Sequence, residues 1–268
     1  MSPWTCEQCG AQFPDSAAPP AACRICEDDR QFVNWNGQTW LSREQLGASH
    51  RLIRRDDLGL TGFAVEPGFA IGQRALLIPE PDGCVLWDCV PLVTPEAVEH
   101  IRSLGGLKAI AVSHPHFYGA VADWSAAFGG VPVYLHGDDR EWITRPHRSI
   151  VAWPGESRRI SDDILLVRAG GHFPGGTVMH WRAGAEGRGA LLTGDIAMAT
   201  MDRRWVSFMY SFPNYIPLNA AAVAAIWRAV EPLAFDRLYG AWWGRNIETG
   251  ARAAFEASVR RYLAAIAG

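Results

Sequence analysis

Short apolar runs closed by glycine, proline or a polar turn recur along most of the chain. Residues 107–112, 164–167 and 190–192 read as buried strands, each ending at a polar or glycine-rich turn. Further strands are predicted at 63–65, 69–71, 74–78, 84–90 and 131–136, broken by Pro67-Gly68, Pro79 and Asp82-Gly83. Helical patterning occupies other stretches. Ser42 with Gln45 fits a capping box and opens a helix. Pro95 stands at the first position of another, which stops at Gly105-Gly106. Residues 120–128 form a helix closed by Gly129-Gly130, 138–144 a short one, and the Ala-rich stretches 218–230 and 251–266 have the apolar spacing of helices lying on a sheet. Strand runs with interspersed helices predict an α/β chain.

The three strands named first end in residues that bind metals. Residues 107–112 run into Ser113-His114-Pro115-His116-Phe117-Tyr118-Gly119, where Pro115 forces a turn between two imidazoles. Residues 164–167 lead to Gly170-Gly171-His172, and 190–192 to Thr193-Gly194-Asp195. Neutral imidazoles on rigid strand ends are what a metal site requires.

In this order the motifs resemble the metallo-β-lactamase superfamily, over roughly residues 60–268. Asp88 matches the Asp that closes an early strand there. His114 and His116 match the first half of His-x-His-x-Asp-His, His172 the Gly-His pair and Asp195 the Gly-Asp pair. The resemblance implies an αββα sandwich and a first metal site of His114, His116 and His172. Of the second site only Asp195 is kept. Tyr118 and Gly119 stand where its Asp and His belong, and Trp243 stands in place of the last His, so one metal is expected.

Composition narrows the partners. The chain has 268 residues, 49% of them hydrophobic, and a formal charge of −3. That is enough apolar material for one main domain and an appendage, with no basic footprint for nucleic acid and no apolar run of membrane-spanning length. The first residues lack signal-peptide character, so a cytoplasmic location is expected. A chain with 12 Trp is expected to form a homo-oligomer where those rings reach the surface.

Four of the six cysteines form two Cys-x-x-Cys pairs, Cys6 with Cys9 and Cys23 with Cys26. This spacing encloses a tetrahedral ion and defines residues 1–33 as a zinc-ribbon-like segment with a structural Zn2+; iron is the alternative occupant. Residues 34–61 read as a linker with a short strand or hairpin followed by a short helix, and 62–268 as the metallo-β-lactamase-like domain. Acidic residues outnumber Arg24 and Arg30 in the segment, which favours a docking or lid role. Cys84 and Cys89 read as buried thiols. His136 and His180 read as structural, and His50, His100 and His147 as solvent-facing.

The expected chemistry follows. One Zn2+ or Fe2+ held by three histidines leaves a position for water, whose pKa a zinc ion lowers to about 7. Asp195 completes the sphere or acts as base, and Tyr118 serves as proton donor or oxyanion partner. Arg203 and Arg204, with Tyr210, Asn214, Tyr215 and Trp243, are the expected substrate contacts. By resemblance to glyoxalase II-like and lactonase members, the reaction is hydrolysis of an ester, thioester or lactone of a small molecule. The alternatives are a non-haem iron oxygenase of the persulfide dioxygenase type and a non-catalytic metal-binding domain.

Overall fold

The structure, a computed structural model, describes residues 2–267. The chain folds as two compact units. One comprises the residues up to Leu135 with Arg140–Ala152, the other His136–Asp139 with the residues from Trp153 onward.

The first unit begins with β1 (Ser2–Cys6), β2 (Gln12–Ser16) and β3 (Trp40–Ser42), which form a small antiparallel sheet in the order β2-β1-β3. Helix α1 (Arg43–Ser49) follows at once. Its capping box is complete: the Gln45 N–H donates to Ser42 Oγ, and the Ser42 N–H donates to Gln45 Oε1. Next come β4 (Arg51–Asp57), β5 (Leu60–Glu66), β6 (Ala75–Glu80), β7 (Gly83–Trp87), α2 (Pro95–Ser103), β8 (Leu107–Ala111), α3 (Val121–Ala127), β9 (Val133–His136) and β10 (Ile150–Trp153). A seven-stranded sheet runs in the order β10-β9-β8-β7-β6-β5-β4. Its meander β4 to β7 is antiparallel, whereas β7, β8 and β9 are parallel because α2 and α3 carry the chain back each time. Thr94 caps α2 ahead of Pro95, and Ala97, Val98 and Ile101 form its buried stripe.

Two expectations need correction here. Residues 69–71 are a turn, with Ala70 at φ +53° and the Gly72 N–H donating to the Phe69 carbonyl. Apolar character alone did not make them a strand. In residues 34–61 a second strand, β4, follows the short strand and helix. β4 escaped sequence reading because an edge strand carries charges on both faces and lacks a clean alternation.

The second unit holds β11 (Ser157–Arg159), β12 (Ile164–Arg168), β13 (Thr177–Trp181), β14 (Ala190–Gly194), two small ribbons made by β15 (Met198–Ala199) with β16 (Val206–Ser207) and β17 (Met209–Ser211) with β18 (Ile216–Pro217), then α4 (Ala220–Val230), β19 (Arg237–Gly240), β20 (Asn246–Ile247) and α5 (Ala251–Ile266). Its main sheet has the order β11-β12-β13-β14-β19-β20, parallel only between β14 and β19. Val223, Ile226 and Val230 of α4 and Phe255 and Val259 of α5 share one apolar core with Val178, Leu191 and Leu238 of the sheet. Among the described residues no helix is long and apolar enough to cross a membrane.

Candidate metal centres

Cys6 closes β1, Cys9 lies in the turn toward β2, and Cys23 and Cys26 come from the loop before β3. The two pairs form matching knuckles: the Gly10 N–H donates to the Cys6 carbonyl and the Glu27 N–H to the Cys23 carbonyl. All four thiols are buried, with their sulfurs within 4.8 Å of one another. The Cys6–Cys26 and Cys9–Cys23 Sγ separations are 3.5 and 3.6 Å. A disulfide would need about 2.05 Å. Metal–sulfur bonds of about 2.3 Å in a tetrahedron put sulfurs ~3.8 Å apart, close to what is found. Hydrogen bonding, first from Cys23, pulls the Cys6 thiol well below its ordinary value, and the contact with Cys23 drives Cys9 well above. One thiolate thus suppresses the next, a conflict that a cation at the centre removes. Gln38 Nε2 also donates to Cys6 Sγ at 2.9 Å. The donor set therefore fits a thiophilic ion.

The histidine pair sits at the end of β8 in the same unit. His114 has extended backbone, and Pro115–Phe117 make a single tight turn, so the two rings lie 5.1 Å apart between centroids. Both side chains are buried. Behind them runs a hydrogen-bonded relay. Asp88, just past β7 at φ +58°, accepts from both the N–H and the hydroxyl of Ser113, at 2.8 and 2.7 Å, and Ser113 Oγ lies 3.0 Å from His114 Nδ1. Fixing Nδ1 makes Nε2 the nitrogen that an ion would use. Burial pushes the Asp88 carboxyl up to about 7, against the Ser113 hydrogen bonds that favour its charged form. Ser113 was not singled out from sequence; its signal was a hydroxyl residue directly before the first histidine.

The second unit holds His172 and Asp195, both buried, with His172 Nε2 3.6 Å from Asp195 Oδ1. Residues 170–176 form a tight loop in which the Ala169 and Gly170 N–H groups donate to the Gly176 carbonyl. A Cβ at Gly176 would fall 2.0 Å from the Gly170 carbonyl oxygen, so only glycine closes this loop. Asp139 Oδ1 anchors it further by accepting the Gly175 N–H at 2.8 Å. Asp139 also escaped the sequence reading, being 36 residues from its partner.

The remaining predicted residues are placed as follows. Tyr118 is buried, 5% exposed. Gly119 has φ +45°, and a Cβ there would meet the Val90 carbonyl carbon at 3.1 Å and the Cys89 oxygen at 3.2 Å. A side chain at that position would crowd this backbone and, at this φ, be strained. Arg204 forks onto Asp202, at 2.7 Å for its closest contact, and Arg203 donates to the Thr200 carbonyl. Tyr215 projects, 86% exposed, while Tyr210, Asn214 and Trp243 are half-buried or at the surface. His136 is structural, donating from Nε2 to the Gly155 carbonyl and accepting at Nδ1 from the Asp138 N–H. His180 lies on β13, its Nε2 donating to the Ala234 carbonyl. Cys84 and Cys89 are buried free thiols.

No protein-family model matches the chain. Among solved structures it resembles VMB-1, with a TM-score of 0.60 at 14% identity over 81% of this chain and 99% of the other. It likewise resembles the DIM-1 metallo-β-lactamase, with a TM-score of 0.59 at 12% identity over 79% and 98%. A B3 metallo-β-lactamase with an active-site glutamic acid matches at 0.50, with 21% identity over 76% and 86%. These likenesses establish the α/β sandwich fold of metallo-β-lactamases. In sequence the chain is 43% identical over 269 residues, 99% of its own length and 97% of the other's, to the uncharacterized protein YmaE of Bacillus subtilis (strain 168), and it belongs to the same family as that protein.

Proposed function

We propose that His114, His116, His172 and Asp195 hold a single ion and that the chain is a metal-dependent hydrolase of small molecules. The observation that carries this reading is the donor set: three buried imidazoles and one buried carboxylate, each at a strand end of a sheet, with His114 fixed through Asp88 and Ser113. When bound, zinc supplies Lewis acidity and lowers the pKa of a water to about 7. Asp195 is then positioned beside His172 to complete the ligand set or to accept a proton. Tyr118 supplies a hydroxyl as proton donor or oxyanion partner. The closed position at Gly119 supports one ion rather than two.

The substrate class follows from resemblance: an ester, thioester or lactone, with Tyr210, Asn214, Tyr215, Trp243 and Arg203 as its wall. Arg204 would take part only by exchanging Asp202 for a substrate carboxylate. The Cys6, Cys9, Cys23 and Cys26 set is assigned a structural Zn2+ in a zinc-ribbon-like segment. Nitrogen and oxygen donors also suit iron(II), which would shift the reaction to oxygenase chemistry.

Elemental analysis of the purified protein beside His172→Ala tests the reading, together with a panel of an aryl ester, a thioester, a lactone and a β-lactam. Two zinc ions falling to one, with loss of hydrolysis, is the expected result. An unchanged metal content in His172→Ala would sink the site assignment, and iron in its place would replace the reaction.

A further inference from the structure

The four-cysteine segment is built against the loops that carry the histidine pair. A Cβ on Gly10, in the first cysteine knuckle, would lie 3.1 Å from Ala70 Cβ and 3.6 Å from Pro91 Cγ, so the knuckle backbone runs close beside both residues. Pro91 ends the stretch 88–91. Within that stretch the Val90 carbonyl accepts from Trp124 Nε1 and the Ala120 N–H, and Asp88 holds Ser113 against His114. A second set of bonds lies alongside. Gln12 Nε2 donates to Asp123 Oδ2 at 3.1 Å, in the first turn of α3. Arg145 Nη1 bridges Gln12 Oε1 and Asp123 Oδ1, at 2.8 and 2.7 Å, and Arg43 adds a further bond to Asp123 at 2.7 Å. Helix α3 begins two residues after Gly119, and its Val121 N–H donates to the Tyr118 carbonyl. The knuckle therefore lies beside the stretch 88–91 whose Asp88 holds Ser113, and Gln12 grips the helix after the His114-Pro115-His116 turn.

We infer that the four-cysteine segment is a positioning element for the histidine pair, and that an ion held by the four cysteines and an ion held at the histidines strengthen each other's binding. This rests on the metal-site reading above. Few apolar residues hold the segment together: Ala11 and Ile25 among the cysteines, with Phe13, Trp40 and Trp142 at its flank. Without an ion the knuckles lose the centre that orders them. Gly10 and Gln12 then lose their fixed places, and the stretch 88–91 and α3 lose one wall. Energetic coupling of this kind is reciprocal, so each ion raises the affinity of the other by the same factor.

The test is zinc binding to the full chain, measured by competition with a chromophoric chelator. Wild type is compared with Cys6→Ser/Cys23→Ser and with Gln12→Ala, which leaves the four thiols in place. The expected result is a histidine-site affinity at least tenfold weaker in both variants. In Gln12→Ala the sulfur-to-metal charge-transfer absorption of bound Co2+ stays at its wild-type value. In wild type, filling the histidine site slows extraction of the cysteine-bound ion, and His114→Ala abolishes that effect. Equal histidine-site affinities in wild type and Gln12→Ala, both with native far-UV circular dichroism, would overturn the inference and leave the hydrolase reading standing. A single ion per wild-type chain, lost on replacing the cysteines, would overturn the histidine centre itself.

Discussion

The two groups of candidate ligands are assembled by opposite means. The four thiols come from one short stretch, Cys6 to Cys26, with little apolar core beside them. The histidines and Asp195 come from the ends of β8, β12 and β14, elements already fixed by extensive burial of Ile110, Ala111, Leu166, Leu191 and Leu192. An ion would order the first group, whereas the second is ordered by the sheets around it whether or not an ion binds. Removing donors should therefore unfold one region and merely disarm the other.

The largest effect expected from this contrast is in Cys6→Ser/Cys23→Ser. Loss of a structural thiolate site forfeits on the order of 10 kcal/mol of binding free energy, so the segment before β3 should become open to limited proteolysis, whereas His114→Ala should leave the cleavage pattern unchanged. Equal protection in both variants would erase the distinction.

Next comes the buried carboxyl behind the histidines. Asp88 titrates at about 7 in the folded chain and near 3.9 when unfolded. The folded value is raised, so the favourable contribution of the protonated form is complete below the unfolded value and is lost as pH rises through about 7. Metal-free protein should be less stable at pH 8 than at pH 5 by about 2.5 kcal/mol from this group. Urea midpoints across that range measure it, and Asp88→Asn should flatten the profile. An equally steep profile in Asp88→Asn would place the titration elsewhere.

A smaller effect is expected for Gly119→His, which restores a ligand type on paper. Its side chain meets the Cys89 and Val90 backbone, so the variant should lose about 1–3 kcal/mol to overpacking and gain no second ion by elemental analysis. Smallest is Ser113→Ala. A group that orients a ligand typically accounts for about 10–100-fold in metal affinity, and the chelator competition should show that weakening at the histidine site alone, with Tm nearly unchanged.

What was legible in the sequence was whatever is local. His114-x-His116, the Gly-His and Gly-Asp strand ends and the two Cys-x-x-Cys pairs declare themselves through spacing. The Ser42 cap and the helix Ala251–Ile266 do so through short-range bonding and periodicity. What was not legible depends on distant partners. Gln12 and Asp123 are 111 residues apart, Asp88 and Ser113 are 25, and a polar residue on a strand carries no mark of the acceptor it will meet. Gly119 read as a missing ligand, but the reason a side chain is unwelcome there lies in the Cys89 and Val90 backbone beside it. β4 failed for a different reason: its pattern is that of a strand with one neighbour.

That edge strand also bears on how one copy of the chain meets another. Arg51, Arg54, Arg55, Asp56 and Asp57 sit along the outermost strand of seven, with Arg51 and Arg55 held to Glu66 at 3.1 and 2.6 Å. A second sheet edge approaching it must strip water from alternating charges before any backbone hydrogen bond forms, a cost that favours separate molecules over a continuous ribbon. Replacing these arginines with valines would remove that cost and turn the same edge into a template for edge-to-edge pairing.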